Sequence, residues 1–223
     1  SSITYTNNVA YVYLTGNATI NNLVVSPGKT LYLCLGGKTY KSNGTSKINV
    51  GDSSKNDKTA GHLILCDCQG GGTVKGATSG WGGMCVYLYN SRLDMFGGKL
   101  TGGKVTGNGG GGAIALDDQQ CIFNMYGGEI SGNNGNNYGG AIFRQFNANM
   151  PNTTGGAFNM YGGTIKDNTA KNGGAFFSTT GGTIKMTGGT ISGNTATQSN
   201  NDAGGGAIYM RGSGTINISG NAK

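Results

Sequence analysis

Acid–base catalysis needs carboxylates held close together, and this chain of 223 residues has nine acidic side chains to offer. The one adjacent pair is Asp117-Asp118. Counted from the glycines that open equivalent segments, Asp117 stands five residues after Gly112, while Arg144 and Gln145 stand four and five after Gly140. That spacing predicts Asp117 and Arg144 as neighbours on successive repeats. Carboxylates with an adjacent cation are the minimum equipment for general acid and base steps on a glycosidic bond. Such a site needs two or three clustered acids, however, and Glu129, Asp167 and Asp202 fall in turns without evident partners. The sole histidine, His62, lies far upstream, so no Ser-His-Asp or Cys-His set is expected. Asp117, Asp118 and Arg144 are weak catalytic candidates, and a surface ion pair of small energetic value is the expected role of Asp117 and Arg144.

The five cysteines (Cys34, Cys66, Cys68, Cys85 and Cys121) are odd in number, which argues against a complete disulfide framework. Each sits in an apolar run, as buried free thiols do. Cys66-Asp67-Cys68 has the wrong spacing for zinc. No metal or other cofactor is expected.

Binding has better material than catalysis. Phe96, Tyr126 and Tyr161 occupy the same outward position in successive repeats, with Asn124 and Asn159 two residues before the tyrosines. At a strand spacing of roughly 4.8 Å they would form an exposed aromatic strip about 10 Å long. Such a strip suits stacking against sugar rings, with the asparagines donating hydrogen bonds beside it. Two insertions break the period and predict protruding loops, Gln145 to Thr154 and Thr195 to Ala203. Insertions in solenoids map to surface loops and often to the binding face, which makes Phe146 in the first a contact candidate.

The elements that must position these residues recur along the chain. Leu93-Asp94-Met95-Phe96-Gly97-Gly98 returns as Phe123-Asn124-Met125-Tyr126-Gly127-Gly128, as Phe158-Asn159-Met160-Tyr161-Gly162-Gly163 and as Ile184-Lys185-Met186-Thr187-Gly188-Gly189. The Gly-Gly pairs start at 97, 127, 162 and 188, so the spacings are 30, 35 and 26 residues, a period that signals a repeat array. A second motif, Gly-Gly-Ala-Ile or Gly-Gly-Ala-Phe, starts at 111, 139, 173 and 205. A third run ends in asparagine: Val105-Thr106-Gly107-Asn108, Ile130-Ser131-Gly132-Asn133, Ile165-Lys166-Asp167-Asn168 and Ile191-Ser192-Gly193-Asn194. Each repeat thus reads as three short strands separated by turns. Period-2 alternation points Leu93/Met95, Phe123/Met125, Phe158/Met160 and Ile184/Met186 inward. Since no single repeat can bury that set alone, coil must stack on coil. Strands that meet their own counterparts one turn later run parallel, with a right-handed crossover expected. Asn108, Asn133, Asn168 and Asn194 would then form an internal structural ladder, each amide satisfied by its neighbours and by turn backbone.

These motifs resemble a right-handed parallel β-helix of the pectate-lyase-like kind, and more narrowly the Gly-Gly-rich repeats of bacterial and archaeal adhesin-like cell-surface proteins. The Gly-Gly-Ala-Ile element is also similar to that of the chlamydial polymorphic outer-membrane proteins, whose companion Phe-x-x-Asn element occurs once, at Phe146-Asn147-Ala148-Asn149. The expected fold is all-β: one chain coiled into a single-stranded right-handed parallel β-helix (solenoid) of about eight coils with three short strands each. It forms a single β-helix domain over 1–223, with irregular N-terminal coils in 1–59 and regular Gly-Gly repeats in 60–223, cut from a longer protein.

Composition agrees. Glycine supplies 46 residues, about a fifth of the chain, without the strict period of collagen, and there are only two prolines. The net charge of +7 is spread out, with one loose concentration from Lys38 to Lys58 and no aromatic–basic motif, so no nucleic-acid partner is expected. No apolar run approaches the ~18 residues of a transmembrane helix, and no direct membrane insertion is expected. The resemblance implies a non-catalytic, extracellular or cell-surface module that binds host or microbial glycans or surface proteins, or acts as a rigid stalk. The alternative is a polysaccharide lyase or glycoside hydrolase with a β-helix active site. An uncapped parallel end would expose unpaired backbone and invite end-to-end self-association.

Overall fold

Alternation along each strand decides which side chains face the interior, and stacking decides what they meet there. The computed structural model describes residues 3–52, 60–117, 120–145, 156–179, 182–198 and 204–223. Over these the chain is an all-β parallel solenoid built on four parallel sheets. Sheet A stacks eight strands, Val9–Tyr13, Thr30–Cys34, His62–Cys66, Arg92–Met95, Ile122–Met125, Ala157–Met160, Gly182–Met186 and Gly214–Ile218. Sheets B and C stack seven each, and sheet D stacks five. The chain runs from A to B, then D, then C, before returning to A.

The expectation of about eight three-stranded coils is corrected in detail. Five regular coils, beginning at His62, carry four strands each, while two earlier coils, ending at Val50, carry three. The additional strands are those of sheet D: Thr78–Ser79, Lys104–Val105, Asn134–Tyr138, Thr169–Asn172 and Thr195–Ala196. Val105 belongs to this sheet and pairs with Ser79, whereas Leu100 is the true partner of Ile130. Reading Val105 as the equivalent of Ile130 failed because both begin the same pattern, a β-branched residue followed two and three positions later by Gly-Asn.

The inward set is buried as alternation predicts: Leu93, Met95, Phe123, Met125, Phe158, Met160, Ile184 and Met186 are each at most 3% exposed. Phe123 stacks on Phe158 in the core with centroids 5.2 Å apart. The methionines also explain the Gly-Gly turns. The second glycine has a positive φ at Gly128 (+87°), Gly163 (+84°) and Gly189 (+84°), a region costly for other residues. A Cβ there would lie 2.6, 2.6 and 2.5 Å from the ε-methyl of Met95, Met125 and Met160, respectively. Each methionine of one coil therefore tucks beneath the turn of the next, and glycine is required for both conformation and space.

A second apolar layer lies outside this core. Phe143 and Phe177 alternate with the inward Ile142 and Phe176, so they leave the outer side of sheet C, yet they are only 5% and 1% exposed. Tyr138 of sheet D covers them, its ring centroid 5.7 Å from Phe143 and 4.5 Å from Phe177. Sheet D is thus a flap packed on the outer side of sheet C.

Candidate functional site

The outer side of sheet A gathers most of the exposed aromatic surface. Phe96, Tyr126 and Tyr161, one residue beyond the inward Met95, Met125 and Met160, stack with centroids 4.6 and 4.9 Å apart and planes within 8° and 10° of parallel. They are 53%, 39% and 41% exposed. Tyr11, Tyr13 and Tyr32 lie on the same side of earlier strands, and Tyr11 stacks on Tyr32 at 4.7 Å. Stacking has a consequence that spacing alone does not reveal. The ladder rings largely cover one another's faces, so solvent meets their edges and the two phenol hydroxyls. Open ring faces are confined to the ends, over Cys66 beside Phe96 and over Thr187 beside Tyr161, where the column continues with smaller side chains.

Beside the ladder runs a polar row. Asn159 Nδ2 donates to Asn124 Oδ1 at 2.8 Å, and Asn124 Nδ2 donates to Asp94 Oδ1 at 2.7 Å. The two amides therefore bond along the row rather than standing ready for a ligand, and Asn124 is buried. Asp94 also accepts from Arg92 Nε at 2.9 Å and contacts His62 Nε2 at 2.9 Å. His62, far from Asp94 in sequence, lies one coil below Arg92 because a separation of 30 residues is one turn of this solenoid. The repeat period was the signal that should have placed it.

Burial raises the Asp94 pKa, but hydrogen bonds from Arg92, Asn124 and His62 outweigh burial and hold it below the ordinary value. A depressed carboxylate stabilises the fold above its unfolded pKa, about 3.9, and loses that contribution as pH falls through the lower folded value. Asp94→Asn removes the titration. The melting-temperature gap between wild type and variant should therefore shrink as pH falls from about 5 to below the unfolded value, measured by thermal melts; a gap that stays constant would contradict this role. Glu129, read as partnerless, instead bridges Lys99 at 2.9 Å and Lys166 at 3.0 Å across sheet B, and its pKa falls to about 2, chiefly through Lys99.

The remaining expected site residues divide. Asn133, Asn168 and Asn194 form a continuous chain: Asn133 Nδ2 donates to Asn168 Oδ1, and Asn168 Nδ2 to Asn194 Oδ1, each at 2.9 Å. Asn108 is corrected out of this ladder. It is exposed in the segment after sheet D, and Gly103 holds the equivalent position, its N–H donating to Asn133 Oδ1 at 3.0 Å. No side chain fits there, since a Cβ on Gly103 would lie 1.9 Å from the carbonyl oxygen of Gly112.

The proposed neighbourhood of Asp117 and Arg144 is also corrected. Register pairs Asp117 with Gln145 and Arg144 with the inward Leu116, so the two point to opposite sides of their sheet. Asp117 accepts a hydrogen bond from the Tyr87 hydroxyl. Arg144 is buried, and burial lowers its pKa. Asp118 and Phe146 lie outside the described residues.

No protein-family model matches this chain, and no curated protein or solved structure matches it. Geometry alone must therefore carry the functional reading.

Sequence reasoning missed one feature because it missed sheet D. Where the flap meets sheet C, a polar cleft of about 440 Å³ is lined by Asn108, Asn137, Lys171, Asn172, Tyr209 and Arg211, among others. Asn172 is 7% exposed and, among the described residues, its Oδ1 has no hydrogen-bond partner, while its Nδ2 donates to Gln198 Oε1 at 3.3 Å. Buried polar atoms are normally satisfied, so this solvent-inaccessible oxygen beside the cleft is an exception among the described residues. The repeated Asn-Thr-Ala at 168–170 and 194–196, between the strand of sheet B and the next coil, was the available signal.

Proposed function

We propose that the chain is a non-catalytic β-solenoid module of an adhesin-like surface or secreted protein, and that it binds glycans through the outer side of sheet A. The observation that carries this reading is the three-ring ladder of Phe96, Tyr126 and Tyr161, exposed on an eight-stranded parallel sheet whose outer side also bears Tyr11, Tyr13 and Tyr32. Contiguous exposed apolar surface of this kind, rimmed by polar residues, is a hallmark of contact sites. The ring geometry favours one mode of contact. Sugar rings stack at the open ends of the ladder, while ring edges and phenol hydroxyls meet the oxygens of a chain lying across it. Repetition along the solenoid axis lets weak contacts add.

A second reading places the glycan in the cleft of Asn172, Lys171 and Arg211, where amides, a phenol and two cations line one polar pocket. A glycan-array screen separates the two. Binding lost in Tyr126→Ala/Tyr161→Ala but kept in Lys171→Ala/Arg211→Ala is the expected result, with at least a tenfold loss of affinity. The opposite pattern moves the site to the cleft. Absence of binding by the wild type would overturn glycan recognition and leave a protein contact or a spacer.

A further inference from the structure

Three of the five cysteines converge at one end of the aromatic column. Cys34 and Cys66 are aligned partners at the ends of neighbouring sheet A strands, in the column that continues into Phe96. Cys68 lies two residues beyond, and its Sγ is 2.8 Å from Cys34 Sγ. The geometry around these sulfurs is fixed by four hydrogen bonds. Asp67 Oδ1 accepts from the Gly37 N–H at 2.7 Å and its Oδ2 accepts from the Gly72 N–H at 2.6 Å. Gln69 Nε2 donates to the Tyr13 hydroxyl at 2.8 Å, and the Leu35 N–H donates to the Cys66 carbonyl at 2.9 Å. The segments that carry Cys34 and Cys68 are thereby clamped together, and the sulfurs need to close by only about 0.8 Å to reach disulfide bonding distance.

We propose that Cys34 and Cys68 are a redox-active thiol pair that closes to a disulfide in the presence of a low-molecular-weight disulfide of the glutathione class. The bond would join the last three-stranded coil to the first four-stranded one, next to the open end of the ladder. The step balances. The Cys34 thiolate attacks one sulfur of the oxidant, forming a mixed disulfide and releasing one thiolate. Deprotonated Cys68 then attacks Cys34 Sγ and expels the second thiolate. Two electrons pass from the protein to the oxidant, which leaves as two thiols carrying the two protons of Cys34 and Cys68.

Local chemistry assigns the roles. Burial raises the Cys34 pKa, but its contacts with Cys68, the Gly36 backbone and Cys66 outweigh burial and bring it below the ordinary value. Contact with Cys34 is the largest influence raising that of Cys68. Of the pair, Cys34 is therefore the thiol that gives up its proton more readily, with the exposed Cys68 beside it. The other thiols are poorly placed to compete: burial pushes Cys66 up to about 11 and Cys85 up to about 12, and Cys85 and Cys121 are fully buried.

Incubating the folded protein with oxidised glutathione at pH 8, then counting free thiols and mapping non-reducing digests, tests the assignment. Free thiols should fall from five to three, and the Cys34–Cys68 bond should be absent from Cys34→Ser and from Cys68→Ser, the latter holding Cys34 as the trapped glutathione mixed disulfide, and retained in Cys66→Ser. The Cys66 variant is needed because trypsin leaves Cys66 and Cys68 in one peptide between Lys58 and Lys75. An unchanged thiol count, or a bond that maps to Cys66, would overturn the proposal.

Discussion

Replacing Met125 by Asp should abolish the cooperative melt of the central coils, or lower it by roughly 15–25 °C. Met125 is fully buried, and its ε-methyl fills the space beneath Gly163 of the next coil. Truncating such a side chain costs about 2–5 kcal/mol. A buried carboxylate without a partner adds several more, taken either as lost solvation or as forced protonation. The sum is comparable with the total stability of an ordinary domain, about 5–15 kcal/mol. Because a solenoid is held by nearest-neighbour contacts, damage should spread from this coil outward, and hydrogen exchange should show protection lost first in the strands 122–125 and 157–160. Two neighbouring variants sharpen the test. Met125→Leu preserves volume and should cost less than about 1.5 kcal/mol. Tyr126→Ala, one residue on but facing solvent, should shift stability by no more than about 1 kcal/mol. Similar melting temperatures for Met125→Asp and wild type would refute the inward assignment.

Asn168→Ala should be the second most damaging single change, at about 3–5 kcal/mol, or roughly 10–15 °C. The side chain is fully buried and makes bonds in both directions along the axis. Its Oδ1 accepts from the backbone N–H of Asn133 at 3.0 Å and from Asn133 Nδ2 at 2.9 Å. Its Nδ2 donates to the carbonyls of Ile130 at 3.0 Å and Lys166 at 2.8 Å, and to Asn194. Removing it leaves donors and acceptors of three coils buried and unsatisfied, each worth about 1–3 kcal/mol. Asn108→Ala is the matched control. Asn108 is exposed and its side-chain hydrogen bond from Asn137 Nδ2 is 3.4 Å long, so its loss should shift stability by less than about 0.5 kcal/mol. Equal losses in thermal melts of the two variants would show that the ladder carries no special energy.

What could be read before any coordinates divides along the range of the forces involved. Asp94 and Asn124 illustrate a middle case. Alternation places them on the outer side with Phe96 and Tyr126, and so they are, but lateral neighbours bury both. Outward direction is a property of one strand; exposure depends on the side chains to either side. His62 is similar, since its distance from Asp94 becomes short only after the coil length is converted into a vertical step.

By itself, the sequence determined the all-β class, the parallel stacking and the inward set from Leu93 to Met186. Those follow from period-2 alternation and from a repeat too small to bury its own apolar face. It also determined the Gly-Gly turns, because only glycine accommodates both the positive φ and the methionine methyl beneath each turn. Tertiary structure alone decided the rest. The number of strands per coil, the flap of sheet D, the absence of Asn108 from the ladder and the separation of Asp117 from Arg144 all depend on register between coils of unequal length. So does the meeting of Cys34 with Cys68. Register is set by the summed packing of whole coils, and a shift of one residue moves every side chain to the opposite side of its sheet.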